Sequence, residues 1–325
     1  SYLLEAPSSR PIYANKPRLQ PATASTTADK DGTTLYTWAW SEVPEIRTEP
    51  NMPGWAESSP VLHLSTYQNW EQVGRYYWGL VRDQLTANDE LKKTVDTLLK
   101  GIDRNDTQKV VAALYDFVVT NTRYVALEFG IHGYKPYRVT QVLARRFGDC
   151  KDKASLIYAM LKLAGVDARL VLLRMRHLGT LSPEVASLAA FNHAIAYVPK
   201  LDLFLDGTAE FHGSRELPTA DRVANVLVVE PDGVSRFFTT PEAKPDDNLT
   251  TMKLNVTLKP DGSASAQGEV MATGQAAPEF RRLFETPATR VASFEQQWSQ
   301  SYPGLKASEV TVSDVKNLEQ PVTLK

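Results

Sequence analysis

The spacing of apolar residues along this chain of 325 residues changes from helical to strand-like close to Gly165. Before Gly165, apolar residues recur every three or four positions over 69–100, 107–120, 139–145 and 154–164, which is typical of buried helix faces. After it, the apolar period falls to two over 168–175, 193–198 and 201–206, which predicts strands. Helices followed by an antiparallel sheet indicate an α+β fold.

Changes in composition predict three parts of the chain. The stretch TTPEAKPDDN at 239–248 predicts a domain boundary, and a strand–turn–strand pattern about Pro260-Asp261-Gly262 follows it. We therefore expect an extended arm and a partial N-terminal β module over 1–60. A core is expected over 61–245, and a β-rich C-terminal module, truncated at its end, over 246–325.

Residues 35–40 predict a short strand with Tyr36, Trp38 and Trp40 on one face. Because a lone strand is not stable by itself, we expect it to pair with strands of the core or of the C-terminal module. The last residues, PVTLK, have the pattern of a strand beginning. We therefore expect the chain to be a fragment of a longer protein.

The charge balance argues against two classes of partner. With 36 Lys and Arg residues against 38 Asp and Glu residues, the net charge of -2 gives no electrostatic basis for binding nucleic acid or an anionic membrane. No apolar run reaches the roughly 20 residues that a membrane span needs. No calcium loop of EF-hand spacing is present, and we expect no metal and no cofactor.

The single cysteine, Cys150, lies in GDCKDKASLIYAMLKLAG at the beginning of a predicted helix. Counting back one turn from Ala154 places Cys150 on the buried face of this helix. Asp149 has a typical N-cap side chain, and Asp152 lies at about the third helical position. Thiols at helix N-termini ionise more readily than free thiols. A lone cysteine is also often just a small buried apolar residue, so a nucleophilic role needs a nearby base.

Among the histidines after Cys150, namely His177, His193 and His212, only His193 has a carboxylate predicted on a neighbouring strand. With a hairpin loop of two or four residues, Asp206 lies opposite or diagonal to His193 on the same face. Cys150, His193 and Asp206 then match the logic of thiol acyl transfer, with the Cys150 N–H as one oxyanion donor. Zinc binding by these residues is chemically possible, but no CxxC or HxxxH spacing supports it.

The three segments resemble those of the transglutaminase-like superfamily, a papain-like group. GDCKDKASLIYAMLKLAGVDARLVLL is similar to the cysteine helix of that family and the strand after it, FNHAIAYV to its histidine strand and LDLFLDGTAEF to its aspartate strand. The resemblance covers about residues 65–240. It implies a papain-like core, with Cys150 as nucleophile, His193 as base and Asp206 as its orienting partner. The GDCKDK form of the cysteine motif, with helices before it and a β-rich flank after it, is most similar to bacterial multidomain members with flanking β-rich modules.

The chain departs from animal transglutaminases at two places. Lys151 follows the nucleophile where those enzymes carry Trp, and no Trp lies between Trp78 and Cys150 to act as the upstream oxyanion donor. Three tyrosines are candidates for that donor, namely Tyr124, Tyr134 and Tyr137.

The expected reaction is thiol-dependent acyl transfer at an amide of a peptide or protein substrate. Hydrolysis is favoured over transamidation, and the resemblance favours a periplasmic or extracellular location. The alternative is a catalytically inactive transglutaminase-like scaffold that binds proteins or glycans. The sequence leaves the substrate and the oligomeric state open.

Overall fold

The computed structural model describes residues 1–16, 22, 24–43 and 45–325. Its helices are α1 (Trp55–Ser58), α2 (Trp70–Val81), α3 (Asp89–Leu98), α4 (Thr107–Asn121), α5 (Val139–Arg145), α6 (Cys150–Leu163), α7 (Ala276–Leu283) and α8 (Arg290–Trp298). Its strands are β1 (Tyr2–Pro7), β2 (Tyr13–Ala14), β3 (Ala24–Lys30), β4 (Thr33–Ala39), β5 (Leu64–Ser65), β6 (Arg123–Tyr124), β7 (Phe147–Gly148), β8 (Arg169–Leu173), β9 (His193–Val198), β10 (Leu203–Leu205), β11 (Asn225–Val229), β12 (Ser235–Thr239), β13 (Thr250–Leu258), β14 (Ala264–Ala272) and β15 (Val322–Leu324). Within the described ranges, none of the helices has the length and apolar character of a membrane span.

Polar caps determine where the N-terminal helices begin. The side chains of Asn69, Asn88 and Asp106 accept hydrogen bonds from backbone N–H groups in the first turns of α2, α3 and α4. The helical pattern over 69–100 is therefore two helices, because Asn88 caps a second helix after a 3₁₀ turn at Arg82–Gln84.

The core is built on a five-stranded antiparallel sheet with the order β10-β9-β8-β11-β12. Alternate residues of β8 enter two different apolar clusters. Leu170 and Leu172 pack into the cluster that contains α6, whereas Val171 and Leu173 pack into the cluster on the other face. The period of two in the sequence thus comes from a sheet that is buried on both faces.

Helix α6 lies at the centre of the core, and every residue from Cys150 to Leu161 is buried. It packs against β9 and against helices α3, α4 and α5. This packing holds the N-terminus of α6 close to the beginning of β9, where His193 lies.

The N-terminal sheet, with the order β1-β4-β3, corrects one expectation. Strand β4 pairs with β1 and β3 of the N-terminal part, so the predicted pairing with the core or the C-terminal module is wrong. The hairpin β3–β4 turns at Asp31 and Gly32, which both have positive φ and form the tight turn that strand twist favours. Trp38 is 6% exposed and stacks on Tyr36 with ring centroids 6.1 Å apart. Part of the predicted arm, residues 17–21 and 23, lies outside the described residues.

The C-terminal part combines the sheet β13-β14-β15 with α7 and α8. Strand β15 pairs with β14, and Val312 forms an isolated bridge with Leu324. Arg281 of α7 is fully buried, lies 2.6 Å from a Glu216 carboxylate oxygen and donates to the Leu318 carbonyl at 2.9 Å. The C-terminal part is therefore fastened to the segment that follows β10.

Candidate active site

Cys150 is the first residue of α6 and is 9% exposed. The Asp149 carboxylate accepts from the Asp152 N–H at 3.2 Å, and the Asp152 carboxylate accepts from the Asp149 N–H at 3.3 Å. The predicted cap is therefore confirmed, in the reciprocal form of a capping box. The thiol lies at the positive end of the helix dipole, where a thiolate is stabilised.

Three charged residues, Lys151, Asp152 and Lys153, directly follow Cys150 and are buried. Each has an ion-pair or hydrogen-bond partner. Lys151 Nζ lies 2.5 Å from Asp149 Oδ2, so the residue that replaces the Trp of animal transglutaminases neutralises the cap of α6. Lys153 Nζ donates to the Thr122 carbonyl at 2.6 Å. Burial lowers the pKa of Lys153 to about 8, against the opposing charges of Asp206 and Glu210.

The structure brings His193 and Asp206 together through the hairpin β9–β10. Val198 pairs with Leu203 across a four-residue loop, which places Asp206 diagonally opposite His193 on the same face. His193 Nε2 lies 3.2 Å from Asp206 Oδ1, which is ion-pair distance without the alignment of a good hydrogen bond. The Cys150 side chain also interacts with the His193 ring, and this interaction raises the pKa of His193. All three predicted site residues are buried, and His193 interacts with the other two.

Asp206 is held by more than His193. Its Oδ1 accepts from the Thr208 N–H at 2.8 Å and from the Thr208 hydroxyl at 2.7 Å. The Tyr115 hydroxyl donates to the Asp206 carbonyl at 3.0 Å. These bonds fix both the backbone and the carboxylate of Asp206 beside the imidazole.

The mutual effects of His193 and Asp206 on each other's pKa favour the charged forms of both, an imidazolium and a carboxylate. Burial alone would lower the pKa of His193, but the charge and contact of Asp206 and the contact of Cys150 raise that pKa well above its usual value. Burial alone would raise the pKa of Asp206, but His193 and the Thr208 donors hold it below its usual value. An imidazolium beside a thiol stabilises the thiolate, which is the reactive form of cysteine.

Replacing Asp206 with asparagine should therefore lower the pKa of His193, because burial then acts with less opposing charge. A raised histidine pKa stabilises the fold fully below the unfolded value of about 6.5 and loses this contribution as the pH rises through the folded pKa. The variant should lack that stabilisation at low pH. Imidazole NMR titration of both proteins measures the shift, and an unchanged pKa in the variant would contradict the assignment.

Of the three candidate tyrosines for a second oxyanion donor, Tyr124 is best placed. Its strand β6 pairs in parallel with β7, so that Tyr124 is opposite Gly148, two residues before Cys150. Burial, followed by the charges of Cys150 and Asp149, raises the pKa of Tyr124 to about 12, so its hydroxyl stays a donor. Tyr137 is engaged elsewhere, because its ring lies between His132 and Arg145.

Two residues that the sequence reasoning did not assign belong to the cluster. Thr208 follows Asp206 by two residues, which is the spacing of a side chain-to-backbone turn and a usable local signal. Asp221 is fully buried, and one ligand atom from each of Asp206, His193 and Asp221 lies within 4.8 Å of the others. No local pattern in the sequence marks Asp221. Because His193 and Asp206 also form an ion pair with each other, we interpret this cluster as an ionisable network rather than as a metal site.

Comparison with known families confirms the resemblance. The family model of the transglutaminase-like superfamily matches residues 96–199, which include Cys150 and His193. The chain therefore contains a transglutaminase-like segment. No curated protein matches the chain.

Comparison with solved structures agrees at the level of the fold. A putative protease from Parabacteroides distasonis is similar, with a TM-score of 0.55, 18% sequence identity and alignment over 80% of this chain. This chain covers 50% of the length of that protein. A putative cysteine protease from Cytophaga hutchinsonii aligns over 82% of this chain and 75% of its own, at 14% identity and a TM-score of 0.32, which is too low to support an argument. The core is thus α+β, and its fold is consistent with the transglutaminase-like family match over residues 96–199.

Proposed function

We propose that the chain catalyses thiol-dependent acyl transfer at an amide, with Cys150 as nucleophile, His193 as base and Asp206 as the group that orients His193. The observation that carries the proposal is the position of His193, which lies 3.2 Å from a buried carboxylate and interacts with the thiol at a capped helix N-terminus. The family match supports thiol-dependent acyl transfer in general.

The geometry suggests the following sequence of steps. Cys150 Sγ attacks the amide carbonyl carbon, and the backbone N–H of Cys150 and the Tyr124 hydroxyl stabilise the oxyanion. The C–N bond then breaks, His193 gives its proton to the leaving amine, and a thioester remains on Cys150. A water or amine, deprotonated by His193, attacks the thioester, and the Cys150 sulfur leaves.

Hydrolysis of a peptide or protein amide is the reaction that we favour over transamidation. The support is the similarity of the motifs to bacterial members of the superfamily and the protease-like fold of the Parabacteroides structure. We also propose a periplasmic or extracellular location on the same resemblance. A scaffold that binds proteins or glycans without catalysis is the competing function, and the reactivity of the thiol distinguishes the two.

Iodoacetamide should label native Cys150 below pH 7, and His193→Ala should slow this labelling about tenfold at pH 6, because the thiolate loses its imidazolium partner. The single cysteine makes the adduct unambiguous by mass spectrometry. His212→Ala is the matched control. This variant should leave the labelling rate unchanged, because the His212 ring is hydrogen-bonded to the Glu210 carbonyl. Equal labelling of the wild type and His193→Ala at every pH would leave only the scaffold function.

A further inference from the structure

Asp221 is a buried carboxyl group without a hydrogen-bond donor among the described residues. The residue is 0% exposed, and neither Oδ1 nor Oδ2 accepts a hydrogen bond from that part of the chain. Its backbone is nevertheless well anchored, because its N–H donates to the Pro218 carbonyl at 3.0 Å and its carbonyl accepts from the Thr240 hydroxyl at 2.6 Å. A buried, unpaired carboxylate is costly, so this group must hold a proton or meet a partner.

In the part of the chain that the structure describes, two charged groups act on Asp221, and both belong to the proposed triad. They are Asp206 and His193, with one atom of each residue within 4.8 Å of the others. Around Asp206 itself lie Thr208, which donates two hydrogen bonds, and three groups that its charge affects, namely Lys153, His212 and Tyr115.

Two buried carboxylates this close cannot both ionise easily. Asp206 receives the Thr208 donors and the His193 charge, whereas Asp221 receives no donor, so the proton belongs on Asp221. Burial, followed by the charge of Asp206, accordingly raises the pKa of Asp221 to about 8.

We propose that Asp221 is a positioning residue whose protonated carboxyl donates a hydrogen bond to Asp206 and so holds the Asp206 carboxylate against His193. The catalytic consequence rests on the proposed function, but the carboxyl–carboxylate pair itself does not. Thr208 holds Oδ1 of Asp206, and a hydrogen bond from Asp221 would restrain the carboxylate further, because Asp206 meets His193 at 3.2 Å without good alignment. Deprotonation of Asp221 would replace this bond with repulsion between two carboxylates.

Three variants separate this role from a structural one. Asp221→Asn keeps a donor but cannot titrate, Asp221→Ala removes the donor, and Asp116→Asn is the matched control. Asp116 also has a pKa raised, by burial above all, to about 7, but it faces Glu319, Glu216 and Arg281 rather than the triad.

The first readout is the NMR titration of the His193 ring, which does not depend on any reaction at Cys150. The wild type and Asp116→Asn should show an inflection near pH 8 in the His193 shifts, and Asp221→Asn should lose it. A wild-type curve without that inflection, or an inflection that survives in Asp221→Asn, would overturn the pair. A bound cation would also overturn the carboxyl–carboxylate pair. The purified protein would then contain one equivalent of zinc, and EDTA would abolish the inflection, because the cation rather than a proton would join the carboxylates.

The second readout is the pH profile of Cys150 alkylation. At pH 7, Asp221→Asn should keep a rate near that of the wild type, whereas Asp221→Ala should be at least several-fold slower. If both variants lose the same rate, the role is structural and the positioning proposal fails. If instead His193→Ala leaves the wild-type rate unchanged, the proposed function fails while the NMR result still decides the Asp206–Asp221 pair.

Discussion

Replacing His193 with alanine should slow the acylation of Cys150 by p-nitrophenyl acetate by about 100-fold near pH 7, because a positioned base contributes about 10²–10⁴-fold. This activated ester needs no knowledge of the natural substrate. The wild type should release a burst of one equivalent of p-nitrophenolate per chain, because the chain has one cysteine. The acetyl thioester should appear as a mass increase on the Cys150 peptide.

Two controls make this result specific to the triad. Cys150→Ala should show no burst and no thioester, which removes hydroxyl or lysine acylation as the source of the signal. His212→Ala should keep the wild-type burst, because the Nδ1 of its ring is bonded to the Glu210 carbonyl. An unchanged burst rate in His193→Ala would contradict the assignment of His193 as base.

Replacing Asp152 with alanine should lower the free energy of unfolding by about 3–5 kcal/mol, because it breaks a buried ion pair and leaves a charge uncompensated. The Asp152 side chain is 1% exposed and lies 2.8 Å from Arg145. It also accepts from the N–H of Tyr137 at 2.7 Å and from the N–H of Asp149. With an unfolding entropy of about 2.1 cal/mol/K per residue, the loss corresponds to a fall of about 4–7 °C in Tm for a chain of 325 residues.

The matched control is Asp96→Ala. Asp96 also pairs with an arginine, at 2.6 Å from Arg104, but its side chain is 70% exposed. Exposed pairs contribute about 0–1 kcal/mol, so the Tm of this variant should stay close to that of the wild type. Thermal unfolding followed by circular dichroism measures both variants, and equal losses in the two would show that the Asp152 network carries no special stability.

The helices and strands that position the candidate site could be predicted from the sequence because their determinants are close in the chain. The N-cap role of Asp149 depends on Asp152, three residues away, and the four-residue loop that relates His193 to Asp206 lies within one hairpin. Such relations survive in any environment that allows the helix and the hairpin to form.

The N-terminal sheet contains a local turn signal that was not used in the sequence-based prediction. Asp31-Gly32 between two short strands is a strong hairpin signal, and it explains why β3 is the neighbour of β4. The pairing of β1 with β4, in contrast, joins residues on either side of the long segment that contains β2 and β3. No local period specifies that register.

Sequence alone determined the α+β order of elements and the capped helix that begins at Cys150, because periodicity and capping act between residues a few positions apart. It predicted a shared face for His193 and Asp206 only if the hairpin loop had an even length, and the structure has a loop of four residues. Tertiary structure alone decided that Lys151, Asp152 and Lys153 are buried and that Asp221 meets Asp206. The physical reason is desolvation. The residues next to a charged side chain in the sequence do not show whether it is solvated or buried. Only packing between distant segments removes the water around it and so changes its pKa and its need for a partner.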